Sequence, residues 1–345
     1  MWKRLVFVVM LIGLLPLPSM ATAQDKQVIV WHALSPDDTD VLTQAADAFQ
    51  EQTGASVVLR YVQPPLLFET VAGSRSGGPD VLIADNSIME PLLAASQVVP
   101  VRDDRTFFLE DLLNNLPALV EDRCTDASVG SCLWPRVSPV LPVPTLDQDT
   151  LARTTDWLCA SAAWLPFCKG GSLPGVPVSW GFNVYLLNVS WMAQQGVEPP
   201  LTAQGVQDMR SEFGLNFVEA QPGDIPTAQG ADMPPVYVIA STLIAEDPNG
   251  VMRSMGSFYE AGYSAVLEMH VDAAYVSAAS QDPTLAGDFV SFLQADADMQ
   301  AALLDSSQRL PAFDAKTLDA QRDTPAGLAT LQALVTLTTY AALAY

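Results

Sequence analysis

The sequence is short of positive charge. Its 345 residues carry 16 Lys and Arg against 39 Asp and Glu, a formal net charge of −23. Only four are lysines, and the acid is mostly aspartate, 28 Asp to 11 Glu. Nucleic-acid binding rests on clustered cations that displace counterions from phosphates. No such cluster exists here, which excludes DNA and RNA as partners. The same repulsion disfavours an anionic membrane surface. A lysine-poor acidic exterior fits either a salty habitat or solubility alone. Histidine is scarcer still, with only His32 and His270, so a serine or cysteine triad would need one of them. H-E-x-x-H, G-x-S-x-G and phosphate-loop patterns are all missing. With 39 acids, carboxylate pairs arise by chance, and a secreted hydrolase is a secondary reading. Nothing in the sequence asks for a cofactor or a metal.

Cysteine is confined to one stretch: Cys124, Cys132, Cys159 and Cys168. The chain opens MWKR, continues LVFVVMLIGLLPLP, and reaches Ala21-Thr22-Ala23 before Gln24. A basic start, an apolar run and small residues at the cut fit a cleaved secretory signal. Pro16 and Pro18 interrupt the run, and a span normally needs about 20 apolar residues. The expectation is a soluble periplasmic or extracellular protein, cleaved near Ala23. Four cysteines in an exported chain suggest disulfides, with three pairings open. Short local loops favour Cys124–Cys132 and Cys159–Cys168, each stabilising its segment by roughly 2–3 kcal/mol. A zinc site lacks the C-x₂-C spacing, and buried free thiols are the other alternative.

Taken in order, Val28 to Val101 alternates apolar runs with amphipathic helices, a β-α-β-α-β pattern that predicts an α/β fold with a parallel sheet. Strands are expected at Val28–Trp31, Val57–Val62 and Asp80–Ala84, and ligands on such sheets bind beyond the carboxyl ends of strands. Ser35 is read as the N-cap of the first helix, with Pro36 at its first position and Asp37 and Asp38 in its first turn. Val41, Leu42, Ala45, Ala46 and Phe49 form its apolar face, and Gly54 stops it. Helices are expected at Leu66–Ser74 and Ile88–Ser96. From Arg102 to Val176 prolines cluster and periodicity fades, which reads as a disulfide-stapled insertion holding one helix around Thr150–Ala163. Strands return at Val176–Ser190, in VYVIASTLIA, and in SAVLEMHVDAAYVSAAS to about Val276. Asp282-Pro283 caps a further helix, another follows, and the uncharged tail from Ala326 is expected to be a docked helix rather than a membrane span.

Four of these stretches carry a resemblance. VIVWHALS with AFQEQTGASVVLRYV, GGPDVLIADNS, GVPVSWGFNVYLLNVS, and AAYVSAASQDPTLAGDFVSFLQADADMQAALLDSSQRLPAF occur in the order found in one family. The chain resembles bacterial extracellular solute-binding proteins of the maltose-binding-protein-like superfamily, which serve ABC importers. The resemblance implies a two-lobed periplasmic-binding-protein-like fold with a hinge of crossing strands, an interlobe cleft, and closure around a solute. It implies ABC permease subunits in the membrane as partners, no enzyme activity and no cofactor, and a monomer. Lobe one would comprise 24–182 and 271–310, with the insertion at about 102–176; lobe two, reduced, would comprise 186–268 and 311–345. The long insertion and short second lobe depart from the family. They leave room for an orphan relative that binds a protein instead of a solute.

Six residues are candidates for ligand binding. Trp31 lies at a strand end, where its indole could stack on a sugar or close the sheet. His32 points to the opposite face. Ser35 is placed for cleft contact or for capping alone. Asp85 and Asn86 follow the third strand, as hydroxyl ligands or as a loop cap. Trp180 and Asn183 sit on the crossing strand, and Gly181 stands where an acid can occur in relatives. Tyr61 and Asp80 read as structural. None of the three strand-end loops holds Lys or Arg, so the expected solute is neutral or cationic, with carbohydrate as the family's default. The export reading predicts that intact-mass analysis of the secreted protein shows a chain beginning at Gln24 and lacking the hydrogens of two disulfides. A retained N-terminus, or four alkylatable thiols, would contradict it.

Overall fold

The computed structural model describes residues 26–74, 77–99, 109–124, 148–159, 167, 174–220, 234–240, 258, 261–307 and 309–344. The signal segment lies outside them, as do Cys132, Cys168 and the proline cluster. Of Cys124 and Cys159 only the backbone is described, so the expected disulfides fall outside the described residues too.

The chain begins with β1 (Gln27–His32), α1 (Asp38–Thr53), β2 (Ser56–Tyr61), a 3-10 turn at Pro64–Leu66, α2 (Leu67–Gly73), β3 (Val81–Asp85) and α3 (Asn86–Ala94). β1 pairs in parallel with both β2 and β3, as the alternating pattern predicts. The apolar face of α1 is the expected one: Val41, Leu42, Ala45, Ala46 and Phe49 are buried, and Gly54 stops the helix with φ 75°. Its start differs. Ser35 precedes a turn in which the Asp38 and Thr39 amides donate to the Ser35 and Pro36 carbonyls. Ser35 Oγ accepts from the Asp37 amide. Asp37 occupies the cap position without a side-chain cap bond, so Ser35 caps the preceding turn rather than the helix.

After β4 (Val98–Val99) come two helices, α4 (Leu109–Cys124) and α5 (Gln148–Cys159). The sequence reading anticipates α5 but not α4, whose Pro117 interrupts an otherwise helical pattern. The chain continues through β5 (Val176–Asn188), α6 (Val189–Gln195), α7 (Ala203–Phe213), β6 (Val218–Glu219), β7 (Val236–Ala240) and β8 (Tyr263–Ser277). It ends with α8 (Pro283–Ala295), α9 (Ala297–Ser307), β9 (Leu310–Pro311), α10 (Ala315–Gln321) and α11 (Pro325–Ala344). α11 is the expected docked helix. It packs on α5, α4, α10 and β9, and no helix among the described residues is long and apolar enough to cross a membrane.

One sheet joins these strands in the order β2-β1-β3-β8-β5-β7-β6, with β4 on β8 and β9 on β5. β5 and β8 are its axis, antiparallel from Val176↔Ala274 to Asn188↔Tyr263. Their two ends serve different neighbours. β3 pairs with β8 between Asp272 and Val276, whereas β7 pairs with β5 between Asn183 and Leu187. Two long strands therefore cross from one group of elements to the other, giving the α/β chain with crossing strands that the sequence predicts.

The period of two along each strand divides the side chains between layers. Val28, Val30, Val81 and Ile83 face one core with Phe49, Phe289 and Leu293. Trp31, Leu82 and Ala84 face the other with Leu112, Leu116, Trp180, Phe182 and Leu334. A third core surrounds Tyr185, Leu187, Met192, Val206 and Met209 at the far end of the crossing strands. Burying each large apolar side chain contributes about 1.5–3 kcal/mol. Asp80 is structural, as read: its carboxylate accepts from the Ile29 amide at 2.9 Å, from Ser280 Oγ at 2.7 Å and from the Gln281 amide at 3.2 Å. It ties the start of β1 to the loop after β8. Gly175, entering β5, lies against Tyr275, so a β-carbon there would sit 2.5 Å from the ring and 2.8 Å from the Ala274 carbonyl. Overpacking of this kind costs roughly 1–3 kcal/mol. Gly175→Ala is expected to lower the unfolding free energy obtained from a urea titration by that amount.

Candidate functional site

Beyond the carboxyl ends of β1, β2 and β3 lies a cavity of about 370 Å³. The segment from Ala33 to Ser35 together with Asp38 lines one side, Pro64 another, and Asp85, Ser87 and Ile88 a third; the floor is His270 and Asp272 of β8 with Arg309. This is the position that the parallel β-α-β pattern specifies. The floor follows from strand geometry. Glu268, His270 and Asp272 alternate along β8 and therefore share a face. On β5 they stand opposite Asn183, Gly181 and Ser179 respectively. A polar stripe thus runs along the crossing strands from one group of elements to the other.

The stripe is hydrogen-bonded along its length. Gln207 Nε2, on α7, donates to the Tyr185 hydroxyl at 3.0 Å, and that hydroxyl donates to Glu268. Asn183 Nδ2 donates to the same Glu268 oxygen at 3.2 Å. His270 lies between two carboxylates, Nε2 at 3.4 Å from Glu268 and Nδ1 at 3.7 Å from Asp85. Asp85 also accepts from the Ser87 amide at 2.9 Å and from the Ser87 hydroxyl, capping α3. Deeper in the floor, Asp272 accepts from Ser179 Oγ at 2.8 Å and meets Arg309 Nε at 3.5 Å.

Burial and pairing set the charges. Burial pulls the His270 imidazole down, but Asp85 and Glu268 outweigh it and raise its pKa to about 9. Burial pushes Glu268 up, and the hydrogen bonds from His270, Tyr185 and Asn183 reverse this, lowering it to about 2. Asp85 behaves likewise and is held below its ordinary value by His270 and Ser87. Asp272 is the opposite case, because burial raises its pKa against the pull of Arg309. The floor at neutral pH therefore carries a charged imidazole between two ionised carboxylates, ion-paired at 3.4 and 3.7 Å.

The candidates from sequence divide between this site and the core. Ser35 and Asp85 line the cavity. Asn183 joins the floor through Glu268 and lies 3.2 Å from His270 Nε2. Asn86 is buried, its side-chain oxygen accepting from the Tyr275 hydroxyl at 2.9 Å. Trp31 packs into the core with the Arg60 guanidinium 5.0 Å over its ring. Trp180 is fully buried, donates to the Pro311 carbonyl at 2.9 Å and stacks on Phe182. Neither tryptophan lines the cavity, and His32 is buried on the other face, 3.4 Å from the Thr39 hydroxyl. Sequence reasoning missed Glu268, His270, Asp272, Tyr185 and Arg309. The first three had a signal: E-x-H-x-D at period two within an otherwise apolar strand puts three charges on one face of a buried sheet. The expectation of no cation near the site considered only the strand-end loops, and both Arg309 and His270 arrive from elsewhere.

No protein-family model matches the chain, and no curated protein is similar to it in sequence. Solved structures with a similar layout include CpMnBP1 with mannobiose bound, at 11% identity over 92% of this chain and 94% of that one, TM-score 0.41. Another is the cyclic alpha-maltosyl-1,6-maltose binding protein from Arthrobacter globiformis, at 16% identity over 89% and 86%, TM-score 0.42. A third is iron-bound HitA from Pseudomonas aeruginosa, at 15% identity over 91% and 98%, TM-score 0.39. These likenesses concern layout, and the site rests on the residues described above.

The two histidines give opposite pH signatures. His270 has a folded pKa near 9 against an ordinary 6.5, so its stabilisation is complete below pH 6.5 and is lost as pH rises through 9. His32 is lowered by burial, so its contribution is present above pH 6.5 and is lost on acidification. Melting scans from pH 6 to 10 are expected to show His270→Gln losing on the order of 2–4 °C at pH 6.5, with the difference from wild type narrowing by pH 10. A difference constant with pH would place His270 outside the charge network.

Proposed function

We propose that the protein is a solute-binding component of an ABC importer that acts outside the cytoplasm, holds a small polar solute in the cavity at the strand ends, and hands it to membrane permease subunits. The observation that carries this reading is the location of the cavity on the crossing strands. Its floor includes His270 and Asp272 of β8, the long strand that pairs with β3 at one end and, alongside β5, runs on toward β7 at the other. A solute touching Asp85 and His270 contacts both the end of β3 and the shared strand, so it can favour one relative arrangement of the two groups by its differential affinity. We place β1, β2, β3, α1, α8 and α9 in one lobe, and β6, β7, α6 and α7 in the other. α4 and α5 go with α10 and α11, against which they pack. The protein acts as a binder rather than an enzyme and works as a monomer.

The cavity lining sets His270 and Arg309 beside Asp38, Asp85 and Asp272, a mixed-charge surface suited to a polar organic solute. The cavity is also small, near the lower end of the roughly 300–1,000 Å³ usual for ligand pockets. A mono- or disaccharide-sized neutral or cationic compound fits better than a long oligosaccharide.

A thermal-shift screen of the exported chain against sugars, polyols, amino acids and polyamines tests the reading. A ligand at 100 times its dissociation constant adds about 2.7 kcal/mol to stability, a clear upward shift, and small-angle scattering should then show a more compact particle. Silence across the panel, together with recovery of a protein partner by pull-down, would instead establish the protein-binding alternative.

A further inference from the structure

Charge pairing inside the cavity is incomplete in two neighbouring places. Arg309 meets Asp272 through Nε alone, at 3.5 Å. Among the described residues its two terminal guanidinium nitrogens have no hydrogen-bond or ion-pair partner, and its side chain is 31% exposed in the cavity it lines. Asp85 stands directly across the β3–β8 pairing from Asp272. Its Oδ2 is buried and accepts no hydrogen bond; the nearest charge is His270 Nδ1 at 3.7 Å. Asp38, by contrast, is fully used, accepting from the Ser35 amide at 3.1 Å and from the Ser306 hydroxyl at 2.7 Å. The floor therefore sets, among the described residues, a two-pronged donor with open terminal nitrogens beside a carboxylate whose buried oxygen has an ion pair but no hydrogen bond, with Ala33, Leu34, Pro64 and Ile88 as apolar walls.

We propose that this cavity takes a small zwitterion of the α-amino-acid type, its carboxylate on the terminal nitrogens of Arg309 and its ammonium on Oδ2 of Asp85. A planar guanidinium matches a carboxylate two bonds at a time, and a buried carboxylate oxygen without a donor is a costly group that an ammonium satisfies. An uncharged sugar would bring no second charge to Arg309, paired with Asp272 through Nε alone, or to Asp85, whose nearest charge is His270 at 3.7 Å. A dianion would meet Asp38, Asp85 and Asp272 together. The zwitterion is net neutral, in keeping with the charge of solute expected from the strand-end loops. This assignment rests on the solute-binding reading above and specifies its ligand class.

The test is isothermal titration calorimetry of the exported chain with each of the twenty common amino acids. For any that bind, the carboxamide and N-acetyl forms follow, with maltose and mannobiose as sugar probes. The expected result is saturable binding of at least one amino acid, weakened tenfold or more when either charge is removed from the ligand. Arg309→Gln should weaken binding at least tenfold while Arg309→Lys restores part of it, and Asp85→Asn should act on the same ligand. The ligand-side comparison holds even if a variant fails to fold. Binding of no amino acid, or equal affinity for an amino acid and its carboxamide, overturns the assignment. In that event, binding of a sugar leaves the solute-binding reading standing, whereas silence from sugars and amino acids alike counts against both.

Discussion

Antiparallel pairing of β5 with β8 is the constraint on which the rest of the structure depends. Twelve aligned residue pairs join these strands, and every other strand of the sheet connects to the axis they form. The pairing imposes a period of two on both strands, so polar residues at alternate positions become one continuous stripe. At the Val176 end the strands are sheathed by apolar cores on both faces; in the middle the stripe opens to the cavity; at the far end it reaches α7 through Tyr185 and Gln207. Support and binding surface are therefore the same strands.

Placing charge in so buried a strand is costly unless each ion is paired, and the stripe is arranged accordingly. Glu268 has donors in Tyr185, Asn183 and His270; Asp272 has Ser179 and Arg309. Removing one member would leave another charge buried and unpaired, which costs more than the pair itself contributes. The exceptions are informative for that reason. Among the described residues, the terminal nitrogens of Arg309 and Oδ2 of Asp85 have no hydrogen-bond partner, and both residues line the cavity.

Much of the fold was legible in the sequence because hydrophobic period reports burial. The buried face of α1, the stop at Gly54, the three parallel strands and both long strands follow from apolar spacing and chain punctuation alone. α4 was not legible, since Pro117 and the surrounding acids broke the pattern that would have marked it. The site was only half legible. Strand ends announced themselves through the β-α-β order, which led to Ser35 and Asp85. Trp31 and Trp180 stand at positions where an indole can serve either a ligand or the core, and sequence cannot see which way a side chain points; both are buried in the core. Glu268, His270 and Asp272 are hidden inside a stretch whose sequence marks only a strand, and Arg309 by its distance in sequence from Asp272, which it meets.

His270, between Asp85 and Glu268, joins the end of β3 to the crossing strands at the floor of the cavity. With two histidines in the chain, an imidazole NMR titration can follow both, and His32 serves as an internal reference on the opposite face. The expectation is that His270 titrates near pH 9, that His32 titrates below 6.5, and that saturating solute perturbs His270 while leaving His32 unmoved. A His270 that titrates near 6.5 and ignores bound solute would contradict it.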